Sequence, residues 1–255
     1  MRNILTRSIT LGIGALLLVS SARAAVPDDS TQLLVAVAPD WNSMRGELRM
    51  YERKRGGQWT PQGRAVPVLF GRTGLAWGSG LAGQNERGLR KKEKDGRAPA
   101  GIFRIGKVYT HDAQLPPGAD LPFRKITTAD AWPDDPEHPQ YNRHIVIPDP
   151  ANPPPWFEKQ KMRHHDFAYR WLVEIRHNSD PPVAGDGSAI FFHIRRGLQR
   201  PTAGCTTMAG EDLVRMMQWL KKDKKPVYAL LPAAEYQAKW QAWKLPPPAG
   251  LAAKN

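Results

Sequence analysis

The sequence predicts a mainly β domain with some α structure, of sandwich or barrel type. Three features predict it. Short apolar segments bounded by turn residues recur along most of the chain. Glycine and proline are abundant, with 22 and 24 copies among 255 residues, and interrupt the chain too often for many long helices. Only residues 210–222 show clear helical periodicity.

Residues 1–24 read as a signal peptide. Arg2 and Arg7 give a positive start, Ile9 to Val19 is apolar, and Ser21-Ala22-Arg23-Ala24 supplies small residues where a signal peptidase reads. Cleavage is expected before Ala25. The apolar run falls short of the ~20 residues that span a bilayer, and no cysteine lies near the cleavage point to carry a lipid. The mature chain is therefore expected in the periplasm, outside the cytoplasm and not stably inserted in a membrane. Loss of Arg2, Arg7 and Arg23 lowers the formal net charge from +13 to +10. So basic an exported chain suits a polyanionic partner. A cell wall carrying free carboxylates fits that setting; nucleic acid does not. Roughly 230 residues remain, enough for one sizeable core.

The elements follow in order. Residues 31–38 (TQLLVAVA) are expected to form a strand, and 47–60 a hairpin turning at Gly56-Gly57. Residues 64–76 continue as strand and turn. Residues 83–98 are polar and basic and read as a mobile surface loop. Strand character returns at 99–109. Residues 110–160 are irregular and rich in Pro and Asp, with Trp132, Tyr141 and Trp156 scattered through them, which suggests a lid-like insertion around a site. Residues 167–177 and 188–194 are apolar enough for central strands. In 210–222, Leu213, Met216, Met217 and Leu220 recur at helical spacing, with Glu211 and Asp212 in the first turn. A last strand is expected at 227–231. A short helix and a Pro-rich tail then fill 232–255. No internal repeat is visible.

Cys205 is the only cysteine, so it forms no internal disulfide. Counting alone leaves two readings open, a buried inert side chain and a reactive thiol. A thiol attacks as the thiolate, and at a free pKa of about 8.5 little thiolate exists at neutral pH. His193 ends an apolar strand, and a loop of eleven residues separates it from Cys205. A strand–loop–strand return brings such side chains within hydrogen-bond reach. Gly204 lets a substrate backbone approach closely and leaves neighbouring amides to hold an oxyanion. The helix at 210 puts its positive end near the thiol. The competing reading makes His193 a strand-end histidine and Cys205 a small buried residue. His164-His165-Asp166 invites a metal reading, but adjacent strand histidines point to opposite faces, and no His-Glu-x-x-His occurs. Neither metal nor cofactor is expected.

Ser188-Ala189-Ile190-Phe191-Phe192-His193, followed by Thr202-Ala203-Gly204-Cys205, resembles the active-site segment of YkuD-type L,D-transpeptidases. Upstream, Lys92-Glu93, Asp95-Gly96 and Pro99-Ala100-Gly101-Ile102-Phe103 resemble the family's charged loop and the strand after it. Trp132, Asp134-Asp135 and Tyr141-Asn142 resemble a motif of one proteobacterial-type branch. The resemblance runs from about 31 to 231, and implies one catalytic domain over 25–231. It implies a Cys205 nucleophile that forms a thioester with a peptidoglycan stem peptide, and His193 as general base. The Ile194 carbonyl would orient the imidazole, and the Gly204 and Cys205 amides would form the oxyanion hole. Donor and acceptor stem peptides would be the partners, with Thr202, Arg196, Thr207, Tyr141 and Asn142 around them. The chain departs from better-studied members at Ala203, where they carry His, at Thr207, where they carry Arg or Asn, and in its shorter His-to-Cys loop. Arg195, Arg196 or Arg200 are the candidates to replace the missing arginine. Two alternatives stay open: an L,D-carboxypeptidase or endopeptidase using the same thioester, and a non-catalytic wall-binding protein. No protein partner is implied.

Overall fold

A computed structural model of the chain describes residues 25–162 and 165–248. The expected signal peptide, His164 and the end of the Pro-rich tail lie outside the described residues. Among the described residues, twelve strands are formed. In chain order they are β1 (Gln32–Ala38), β2 (Arg45–Glu52), β3 (Thr60–Leu69), β4 (Leu75–Trp77), β5 (Ala98–Thr110), β6 (Phe123–Lys125), β7 (Asp130–Ala131), β8 (Ile145–Val146), β9 (Trp171–Ile175), β10 (Phe191–Ile194), β11 (Thr206–Met208) and β12 (Val227–Pro232). The helices are α1 (Phe157–Gln160), α2 (Gly210–Trp219) and α3 (Ala233–Lys239).

The main sheet closes on itself. Its order is β12-β1-β2-β3-β11-β10-β9-β5, and β5 pairs back onto β12. Closure depends on the long, bent β5. Residues 101–104 pair with β12, and a bulge between Ile105 and Val108 turns the rest onto β9. The interior is filled by side chains such as Leu33, Leu48, Phe103, Phe192 and Tyr228, each under 2% exposed. This is the mainly β, barrel-like fold that the short strands and frequent turns predict. The β2–β3 hairpin turns at residues 54–57, where Gly57 N–H donates to the Lys54 carbonyl.

α2 packs its apolar face into the main core. Leu213, Met216, Met217 and Leu220 form its buried stripe. It ends at Trp219, earlier than the periodicity suggests, and a 3₁₀ turn at 222–224 follows. The strand expected from 167 begins only at Trp171, after a 3₁₀ turn capped by Asp166, whose carboxylate accepts from Ala168 N–H. The strand expected from 188 begins only at Phe191, because Ala189 takes a left-handed φ of 54°.

Two segments depart further from expectation. Residues 83–98 are pinned down, with Lys91 only 4% exposed. Asp95 organises them by accepting from Lys91 Nζ, Lys92 N–H and Arg97 N–H. The insertion at 110–160 carries β6, β7, β8 and α1, and a small core of Ala129, Ala131, Ile147 and Phe157. The segment after α3 also packs on the barrel. Trp243 and Leu245 are buried, Trp59 Nε1 donates to the Lys244 carbonyl, and Tyr236 Oη to that of Pro246.

Candidate active site

The parallel pairing of β10 with β11 sets the site, because it places His193 opposite Thr207. Paired residues on neighbouring strands point to one face, as do residues two apart along a strand. Cys205 precedes Thr207 by two, at the mouth of β11. Thiol and imidazole thus share a face, and both line one cavity of about 400 Å³. The chain returning from β10 to β11 walls it through Arg196, Arg200, Pro201 and Thr202.

His193 is buried, and its Nδ1 lies 3.0 Å from the Ile194 carbonyl oxygen. A carbonyl only accepts, so Nδ1 carries the proton and Nε2 is left as the basic nitrogen. The Tyr169 ring meets the imidazole edge-on, with centroids 5.0 Å apart. Burial lowers the His193 pKa to about 4, aided by the charge of Arg196 and opposed by the Ile194 carbonyl.

The Cys205 thiol donates to the Ala189 carbonyl at 3.5 Å. Burial pushes its pKa up to about 11, against the Phe191 amide and the charge of Lys91. Thiol and imidazole therefore rest as a neutral pair at pH 7. β11 lies between Cys205 and the start of α2 at Gly210.

Two expectations for the Thr-Ala-Gly-Cys turn need correction. Thr202 Oγ1 donates to the Cys205 carbonyl at 2.7 Å and accepts from Gly204 N–H at 3.0 Å. Its hydroxyl thus closes the turn and is not free for substrate. The Gly204 amide is committed as well, contrary to its expected part in an oxyanion hole. Gly204 itself is required sterically. Its φ is +156°, and a Cβ there would stand 2.9 Å from the Arg97 carbonyl oxygen and 3.1 Å from Ile190 Cδ1.

Tyr141 and Asn142 do not line the cavity. Tyr141 is buried and donates to Glu93, which does line it. Asn142 is a buried clamp. Its Oδ1 accepts from Trp132 Nε1 and Ala189 N–H, both at 3.0 Å, and its Nδ2 donates to the carbonyls of His177 and Asn178. The clamp fixes the residue whose carbonyl receives the Cys205 thiol. Asn142→Ala is expected to cost at least ~2 kcal/mol in a urea titration, since buried polar groups lose their partners. It should also lower kcat more than KM, because Ala189 loses its anchor.

Arg196 lines the cavity but pairs with Asp166 at 2.5 Å and lies over the Tyr169 ring. Thr207 lines it too and is buried. Lys91, Glu93, Asp134 and Ser188, to which the sequence motifs give no role, also stand in the wall. Lys91 is a buried ammonium, 2.6 Å from Asp95. The Lys-x-x-x-Asp spacing of that charged loop is the signal that marks it. Of the insertion at 110–160, only Asp134 reaches the cavity wall. Trp132 instead packs behind the site with Tyr109 and Phe191, so the insertion's aromatics support the site and do not cover it. Among the described residues, no helix is long and apolar enough to cross a membrane.

A family model for the L,D-transpeptidase catalytic domain, YkuD, matches residues 47–228. A search of curated proteins finds no match.

Proposed function

The chain belongs to the YkuD family of L,D-transpeptidase catalytic domains, and from that premise we propose that it joins peptidoglycan stem peptides through a Cys205 thioester, outside the cytoplasm. The family's activity on peptidoglycan sets the substrate class. One observation carries the finer reading: the Cys205 thiol and the His193 imidazole line the same cavity, with the imidazole Nδ1 tied to the Ile194 carbonyl.

The reaction follows from these groups. A stem peptide enters with a carbonyl carbon over Cys205. His193 Nε2 takes the thiol proton as sulfur attacks, so neither group has to hold a charge before substrate arrives. The developing oxyanion meets the Cys205 amide and the field of the Lys91 ammonium. The carbon–nitrogen bond breaks, and His193 returns the proton to the leaving amine. An amine from a second stem then attacks the thioester, His193 accepts its proton, and the thiol is restored. Glu93 and Asp134 on the wall suit ammonium groups of the stems, and Arg196 and Arg200 suit their carboxylates.

The test is incubation of mature protein with uncross-linked tetrapeptide muropeptides, followed by chromatography and mass spectrometry. Dimers from wild type and none from Cys205→Ala are expected. Shortened monomers alone would move the assignment to an L,D-carboxypeptidase. Unchanged muropeptides with both proteins would contradict the proposal.

A further inference from the structure

A second cavity, of about 570 Å³, shares no lining residue with the first. The packed rings of Tyr109, Trp132 and Phe191 stand between them, Tyr109 and Trp132 reaching the second cavity and Phe191 leading to His193. Six cationic side chains line it: Arg104, Lys107, Arg143, Arg176, Lys222 and Lys225. Against them stand two carboxylates, Glu174 and Asp180. Asp180 is taken by Arg176, while Lys225 pairs with Asp29 and Lys222 lies near Asp120. Arg104, Lys107 and Arg143 make no side-chain ion pair or hydrogen bond among the described residues.

The fold builds this concentration of charge. The β5 bulge falls at Gly106-Lys107, and Gly106 lets the Glu174 carboxylate lie across it, since a Cβ there would stand 2.1 Å from Glu174 Oε2. Glu174 lines the cavity, is buried, and accepts a long bond from Lys107 N–H at 3.3 Å. The bulge leaves the Lys107 side chain exposed beside Arg104. Two guanidinium forks and an ammonium, unpaired in one concave site, match carboxylates.

We infer that this cavity docks the carboxylate-bearing peptide arms of polymeric peptidoglycan, holding the chain on the wall while a different arm occupies the Cys205 cavity. The inference rests on the wall-directed function proposed above. A neighbouring groove continues the site, sharing Arg104, Arg176, Ser179 and Asp180 with it, which gives an extended peptide room to run.

The experiment measures co-sedimentation with insoluble peptidoglycan, using mature protein in a Cys205→Ala background so that binding is read without turnover. Arg104→Gln/Lys107→Gln/Arg143→Gln is compared with a control of equal charge loss on the β2–β3 hairpin, Arg49→Gln/Lys54→Gln/Arg55→Gln. Thermal melts confirm that both fold. The cavity variant is expected to bind about tenfold more weakly, and the control within about twofold of the parent. Peptidoglycan with amidated carboxylates should release the parent protein. With Cys205 restored, turnover of a short soluble muropeptide should be unchanged by the cavity substitutions. Equal losses in the two variants would reduce the effect to net charge and overturn the inference. Undiminished binding to amidated peptidoglycan, or equal competition by polyphosphate and polyglutamate, would overturn it too. Absence of turnover with retained, cavity-dependent binding would contradict the proposed chemistry and leave the docking site standing.

Discussion

Cys205→Ala is expected to yield neither cross-linked dimers nor shortened stems, and His193→Ala to retain less than about 1% of wild-type kcat/KM, since a positioned base contributes about 10²–10⁴-fold. The pH dependence is equally specific. His193 must be neutral to accept a proton, and its pKa lies at about 4. Free-enzyme kcat/KM therefore holds steady as pH falls from 7 to 5, and drops only as His193 protonates near pH 4. The thiol, with its pKa near 11, stays protonated across that range. Alkylation of Cys205 by iodoacetamide should accordingly climb about tenfold per pH unit from 7 to 9. A preformed thiolate–imidazolium pair would instead give a flat alkylation rate through neutrality, and that result would sink the neutral-pair account. Stability must be followed in parallel. His177 and His193 both titrate near 4 when folded and near 6.5 when unfolded, so the unfolded chain binds more protons between those values. The stability they contribute is complete above about pH 6.5 and is lost as pH falls through 4.

Gly204→Ala is expected to lower kcat by about 10²–10³, the scale of losing an oxyanion donor, with a smaller change in KM. The new Cβ meets the Arg97 carbonyl and Ile190 at a φ that side chains rarely adopt. Relief requires the backbone at 204–205 to move, and that displaces both the Cys205 amide and the nucleophile. Steady-state kinetics with a defined muropeptide donor reads this directly. Wild-type kcat in a folded Gly204→Ala protein would refute the assigned role of that backbone. Thr202→Val tests the same turn from the other side, since it removes the hydroxyl bridging Gly204 N–H and the Cys205 carbonyl.

The strands were legible where a local pattern decides them. Residues 33–38 are apolar, and Gly56-Gly57 marks a hairpin. The α2 stripe is legible because Leu213, Met216 and Met217 repeat at helical period. Barrel closure was not, because the pairing of Gly101–Arg104 with β12 joins segments more than a hundred residues apart. The insertion at 110–160 was illegible for another reason. Its strands are two or three residues long and depend on single polar groups, such as buried Asp130, which accepts from Thr127, Arg124 and His144. In the candidate site, the spacing of His193, Gly204 and Cys205 was visible. The buried positions of Lys91 and Asn142 were not. Polar residues in loops read as solvated, and only the fold reveals that Asp95 draws Lys91 inward and that Asn142 spans three separate segments. The Tyr141-Asn142 motif suggests a contact with substrate, whereas Asn142 is buried and does not line the cavity.

The most direct test of a Cys205 acyl-enzyme is to trap it. Mature protein would be mixed with a tetrapeptide muropeptide without added acceptor, quenched in acid, digested and examined by mass spectrometry. A thioester on Cys205, carrying the stem less its terminal residue and released by hydroxylamine, is the predicted result. An adduct on another residue, or product formed by Cys205→Ala at the wild-type rate, would contradict it.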